Sequence, residues 1–320
     1  CPAIIDEIAQ LTGLKVFEAN PTALNIPHDS PCFFGFSAEE AIAGADFGMM
    51  VDVDVPWIPA RATPRSDIYW VHIDVDVLKK DMPMWGFPSH LRLQGDSVRI
   101  LCRLLQILKE RQTVEQKTRA DRRLAEFRQA HAKNTADPQR EAASQSNSAT
   151  IEPAFLCSEL DKALSPKDIV VNETVKNSPS VLRYIRRSLP GTYLASGGSG
   201  LGYGGGAALG AKLAHPDRTV IHLTGDGSFY FSNPSAVYQV SQRYNLPIFT
   251  VIFDNCGWAA VKESVRLMYP DGASVQANQF QALLDPPIAF EKVGEAAGVY
   301  GDSVSDAKHL PAAIQNCLKT

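Results

Sequence analysis

Residues Thr219 to Trp258 read TVIHLTGDGSFYFSNPSAVYQVSQRYNLPIFTVIFDNCGW. An apolar run, Val220-Ile221-His222-Leu223, stops at Gly225-Asp226-Gly227-Ser228. A helix-length segment follows. A second apolar run, Ile248 to Phe253, then stops at Asp254-Asn255-Cys256-Gly257. Two buried parallel strands with a crossover helix between them would bring Asp226 and Asn255 together at the carboxyl edge of one sheet, where open α/β sheets bind ligands. A carboxylate and an amide oxygen are hard donors that suit Mg²⁺ better than zinc. Glycines on both sides of Asp226 let backbone N–H groups approach a phosphate closely. The stretch therefore reads as a Mg²⁺-diphosphate site.

Working upstream, Asp168 to Glu173 reads as a strand ending in polar residues. Pro179 to Ser188 reads as a helix with Ser178 as its cap, and Thr192 to Ser196 as a short strand. Gly197 to Gly206 (GGSGLGYGGG) is a glycine loop, and Ala207 to Ala214 a small-residue helix able to pack close to a sheet. Gly200, Gly202 and Gly205 match the GxGxxG dinucleotide fingerprint, but a glycine-rich stretch satisfies that pattern easily. Asp226 between two glycines favours a phosphate cradle over a grip on ribose. The second oxygen donor, Asn255, is one that a nicotinamide site does not need. A nicotinamide-dependent dehydrogenase is the weaker reading.

The amino-terminal part also alternates strands and helices. Leu14 to Phe17, Ala45 to Val53 and Ile68 to Val75 are strand candidates, and Ser97 to Leu108 has apolar residues at helical spacing with Asp96 or Ser97 as cap. Asp52, Asp54, Asp74 and Asp76 read as strand-end caps rather than metal ligands. His72 reads as a buried strand residue, and Trp57, Trp70 and Trp85 as packing. From Lys109 to Lys133 acids and bases interleave at helical spacing, which describes a solvated helix rather than a nucleic-acid patch. Thr135 to Thr150 lacks large apolar residues and reads as a flexible linker. The expected domains are therefore 1–108, then a charged helix and linker over 109–150, then 151–320. Both domains are α/β, three-layer and mainly parallel, the first Rossmann-like.

Composition agrees with a soluble globular chain: 320 residues, 45% hydrophobic, 21% charged, net charge −4. That balance gives no reason to expect nucleic acid or an anionic membrane as partner, and no apolar run approaches the roughly 18 residues of a membrane span. Six scattered cysteines without a CxxC pair point to a reducing compartment, cytoplasm or organellar matrix. The chain starts at Cys1 with no signal-like segment and reads as a fragment, with both domains expected to be truncated.

GDGS, followed by a helix and a strand ending in an asparagine pair or its variant, resembles the thiamine-diphosphate motif. LGYGGGAALGAKLAHPDRTVIHLTGDGSF is similar to the cofactor domain of acetolactate synthases, benzoylformate decarboxylases and benzaldehyde lyases. VDVDVPWIP and IYWVHIDVDVLKKDMPMWGFP resemble the central domain of acetolactate synthase-like large subunits. The resemblance implies Mg²⁺ on Asp226, the side chain of Asn255 and the backbone carbonyl of Gly257. It implies the diphosphate on Gly225, Gly227, Ser228 and Asn255, with Thr174 and Val175 nearby. Leu201 would prop the cofactor into its bent shape, and the carbonyl of Gly200 would accept from its aminopyrimidine. It implies decarboxylation and carboligation of small 2-oxo acids by a homodimer or homotetramer. A benzoylformate decarboxylase-like or 2-hydroxyacyl lyase-like enzyme, or a non-catalytic cofactor-binding subunit, stays open. FAD, bound by some relatives, has no motif here. Two features depart from the pattern: Asp254 stands where the first asparagine is usual, and the gap between Asp226 and Asn255 is longer around Phe231 to Pro234. The glutamate that activates the cofactor belongs to an amino-terminal domain absent from these residues. Glu173 and Glu263 lack its context, so no catalytic residue is expected in this chain and the fragment is expected to be inactive alone.

Overall fold

A computed structural model describes residues 1–82, 85–198 and 200–320. Pro83, Met84 and Ser199, which the motifs above include, lie outside the described residues. The chain divides into two compact units: 1–21 with 25–134, and 22–24 with 135–320.

The first unit holds a parallel three-stranded sheet in the order β1 (Phe47–Val51), β2 (Tyr69–Asp74), β3 (Leu91–Gln94). Leu91–Gln94 escapes the sequence reading because Arg92 and Gln94 interrupt its apolar character. Leu14–Phe17 is no strand, and only Val16 bridges to Phe33. Gly48 lies opposite Trp70 in the β1–β2 register, and a Cβ there would sit 2.1 Å from the Trp70 ring, so glycine is required. Trp57 stacks on Trp70 at 4.9 Å, as packing residues do. His72 is fully buried in β2. The acids take structural roles. Asp74 accepts from the Asp76 N–H, Asp76 from the Leu78 and Lys79 N–H groups, and Asp52 from the Ser97 hydroxyl. Lys79 Nζ lies 2.8 Å from both Asp54 and Asp74. The helix Ser97–Arg111 is capped by the Asp96 carboxylate, which accepts from the Arg99 N–H at 2.9 Å.

The helix Val114–Ser144 corrects the expected linker: helix continues through 135–144, with Pro138 inside it. Its hold is tertiary, since Ala142 is fully buried in the core of the second unit, and burial outweighs weak local propensity.

The second unit is built on a parallel sheet in the order β5 (Tyr193–Ala195), β4 (Ile169–Glu173), β6 (Val220–Gly225), β7 (Phe249–Phe253). β4 and β6 are buried on both faces, as continuous Val/Ile/Leu runs dictate. One face packs on Phe155, Leu160 and Val181, with Ile314. The other packs on Ala208 of the helix Gly204–Ala214. That helix starts three residues before the sequence suggests, and Ser178–Tyr184 ends earlier than Ser188. The expected insert appears as a break at Ser232 and Asn233, between Asp226–Phe231 and Pro234–Tyr244. Among the described residues no helix is long and apolar enough to cross a membrane.

Candidate functional site

Register aligns the carboxyl ends of three strands. Glu173 of β4 and Ile252 of β7 both lie opposite Thr224 of β6, and Gly225 lies opposite Phe253. The residues that follow each strand, Thr174 and Val175, Asp226 to Ser228, and Asp254 to Gly257, therefore emerge on one edge.

Asp226 opens a helix rather than standing in a loop, with Gly225 as N-cap. It is 2% exposed. Its Oδ1 accepts from the Gly227 N–H at 2.8 Å and its Oδ2 from the Gly257 N–H at 2.7 Å. Burial pushes its carboxyl above the usual range. The Gly257 and Gly227 N–H groups oppose that shift, and the neighbouring charge of Asp254 adds to it. Among the described residues no cationic side chain pairs with Asp226. A buried carboxylate facing a second carboxylate without a cation is costly, so the residues present fit a divalent ion. The donor set of carboxylate, amide and backbone carbonyl suits Mg²⁺. Among the described residues no cluster of three or more His, Cys, Asp or Glu forms a rival metal site.

Asn255 is exposed, Gly257 is buried, and Cys256 between them takes a left-handed φ of 58°. This turn is pinned by the Asp254 carboxylate, which accepts from the Cys256 N–H at 2.9 Å, and by a bridge from Gly257 to Leu283. Gly257 could carry no side chain, since its Cβ would lie 2.2 Å from the Ala282 carbonyl oxygen. Gly227 also has a packing reason to be glycine. Its N–H is held by Asp226, and a Cβ would lie 2.4 Å from the Trp258 indole. Ser228 is buried beside it.

Thr174 is buried, and its hydroxyl donates to Asn172 Oδ1 at 2.8 Å. Val175 follows with φ +46°, a conformation β-branched residues rarely adopt, and is 51% exposed. Gly200 and Leu201 sit on the glycine loop, Leu201 39% exposed.

Glu173, set aside in the sequence reading, is the residue that organises this loop. It is 5% exposed. Its Oε1 accepts from the Gly202 N–H and its Oε2 from the Gly204 N–H at 2.9 Å, with His222 Nε2 at 3.4 Å. Tyr203 also ties the loop to β4, donating to the Asn172 carbonyl at 2.9 Å. The available signal was two titratable residues in adjacent apolar strand runs. Glu263 is spent on Lys176.

A cavity of about 930 Å³ runs along the edge strand β7 and touches Lys176, Asp254 and Asn255, but neither Asp226 nor the glycine loop lines it.

Comparison with known proteins points the same way. Residues 176–320 match the family "Thiamine pyrophosphate enzyme, C-terminal TPP binding domain". The acetolactate synthase large subunit IlvG of Mycobacterium tuberculosis is 34% identical over 169 residues, which are 52% of this chain and 29% of that protein. The 3D-(3,5/4)-trihydroxycyclohexane-1,2-dione hydrolase of Lacticaseibacillus casei is 30% identical over 163 residues, 50% of this chain and 25% of that one. The fold is shared with the thiamine diphosphate-dependent 4-hydroxybenzoylformate decarboxylase of Rhodococcus jostii RHA1, at TM-score 0.76 and 20% identity over 100% of this chain and 56% of that one. The chain thus spans little more than half of that structure, and the matched stretch under a third of the curated relatives. Residues 176–320 thus match a thiamine pyrophosphate-binding domain, and about half of the chain is similar to acetolactate synthase large subunits.

Proposed function

We propose that the chain holds the diphosphate and metal end of thiamine diphosphate in an enzyme that decarboxylates small 2-oxo acids and joins the product to a second carbonyl, as acetolactate synthases do. The observation that carries this is the buried, cation-less carboxylate of Asp226 at the shared end of β4, β6 and β7. Asp226, the amide oxygen of Asn255 and the carbonyl of Gly257 would hold Mg²⁺. Ser228, Thr174 and Val175, with Gly225 and Gly227 giving room, would hold the diphosphate. Leu201 and the carbonyl of Gly200 would position the rings. Bound thiamine diphosphate would supply the nucleophilic carbon and the electron sink for decarboxylation.

The chain's own residues bind and orient. Glu173 is saturated by N–H donors and Glu263 is paired with Lys176, so neither is placed to move a proton at the cofactor, and the activating acid is assigned to no described residue. Self-association as a homodimer or homotetramer belongs to the same proposal. Calorimetric titration of the full chain tests it: thiamine diphosphate with Mg²⁺ should give saturable heat and NAD none. Binding of NAD alone would overturn it.

A further inference from the structure

The conformation of the glycine loop is set from below by one carboxylate. Glu173 ends β4, and both of its oxygens face up into the loop, one on the Gly202 N–H and the other on the Gly204 N–H. The helix Gly204–Ala214 begins there, so the carboxylate also meets the positive end of an eleven-residue helix dipole. His222 of β6 stands on the other side of Glu173. The fit is close on every side. A Cβ on Gly204 would lie 2.3 Å from His222 Nε2 and 2.5 Å from Glu173 Oε2. Gly202 takes φ +92°, where a side chain is strained, and its Cβ would meet the Phe231 carbonyl oxygen at 2.8 Å. Leu201, next to the anchored Gly202, is 39% exposed.

We infer that Glu173, backed by His222, is a positioning residue for the ring-binding half of the cofactor site. By clamping Gly202 and Gly204 it fixes where Leu201 and the Gly200 carbonyl stand. The metal end is anchored separately, on Asp226 and the Asp254–Gly257 turn. This inference rests on the thiamine diphosphate reading above.

Glu173→Gln separates the two ends. An amide of the same shape has an acceptor oxygen on one side only and turns its NH₂ donors toward the other N–H, so the loop loses half of its clamp while the metal turn is untouched. Affinities for thiamine diphosphate with Mg²⁺ and for inorganic pyrophosphate with Mg²⁺ are measured by calorimetry on the wild-type chain and on the variant. The expected result is at least a tenfold loss for thiamine diphosphate with pyrophosphate affinity unchanged. Equal loss for both ligands, or loss for neither, would overturn the positioning role. If the wild-type chain binds thiamine diphosphate no tighter than pyrophosphate, the cofactor reading itself fails, and the clamp's purpose with it. Should the variant fold poorly, hydrogen exchange on the wild-type chain decides. The Gly202 and Gly204 amides should be slowed further by thiamine diphosphate but not by pyrophosphate, and an equal response to both ligands would refute the inference.

Discussion

Single side chains carry unusually specific requirements here. Gly227→Ala places a methyl group against the Trp258 indole, where a Cβ would be 2.4 Å away. Overpacking of this kind costs about 1–3 kcal/mol. The double variant with Trp258→Ala should recover that part of the loss, measured by urea denaturation, and independent additive losses would contradict the contact. In the first unit, Lys79→Ala leaves the buried Asp74 carboxylate without its cation, which costs about 3–5 kcal/mol. Burial alone would raise the Asp74 pKa, but the Asp76 N–H and the Lys79 ammonium outweigh it, and the carboxyl lies below the usual range. A depressed native pKa confers stability that is present above the unfolded value and lost as pH falls through the native one. Stability of the wild-type chain should therefore fall from about pH 4 downward, and Asp74→Asn should flatten that dependence. Burial also pushes the Cys157 thiol up to about 12 and the Cys32 thiol to about 11. Both should resist thiol reagents at pH 8 while exposed Cys102 reacts, and fast labelling of Cys157 would contradict its burial.

At the scale of elements, what the sequence makes legible follows from periodicity. The runs at Ile169–Glu173, Val220–Gly225 and Phe249–Phe253 are mostly apolar because their strands are buried or packed between helices, and the polar residues after them mark one sheet edge. Two apolar runs that each stop at polar residues foretell that these strand ends meet, though not the hydrogen bond that joins Asp226 and Gly257, 31 residues apart. Less legible are elements decided by distant packing. Leu91–Gln94 lacks a strand pattern and is held by pairing with β2. The helix to Ser144 runs through polar residues and Pro138 because Ala142 and Arg183, the latter 2.8 Å from Glu141, secure its end. Pro138 lacks the N–H that would reach the Asn134 carbonyl, so Pro138→Ala should raise the melting temperature, and a fall would show that the proline relieves some local strain. The role of Glu173 was hidden for another reason: a carboxylate that solvates backbone N–H groups has no spacing signature.

At the scale of the whole molecule, two compact units with separate cores should respond differently to ligand. A ligand that binds only the folded second unit stabilises it by about 2.7 kcal/mol at one hundred times its Kd. In scanning calorimetry, thiamine diphosphate with Mg²⁺ should move the transition of the second unit and leave the first unit's in place, and an equal shift of both would contradict the assignment of the site. The most direct test of the central claim is the titration of thiamine diphosphate into the full chain, with Mg²⁺ or with EDTA, for the wild type and Asp226→Ala. Binding should require Mg²⁺ and fall at least a hundredfold in the variant. Metal-independent binding, or binding that survives the loss of Asp226, would contradict it.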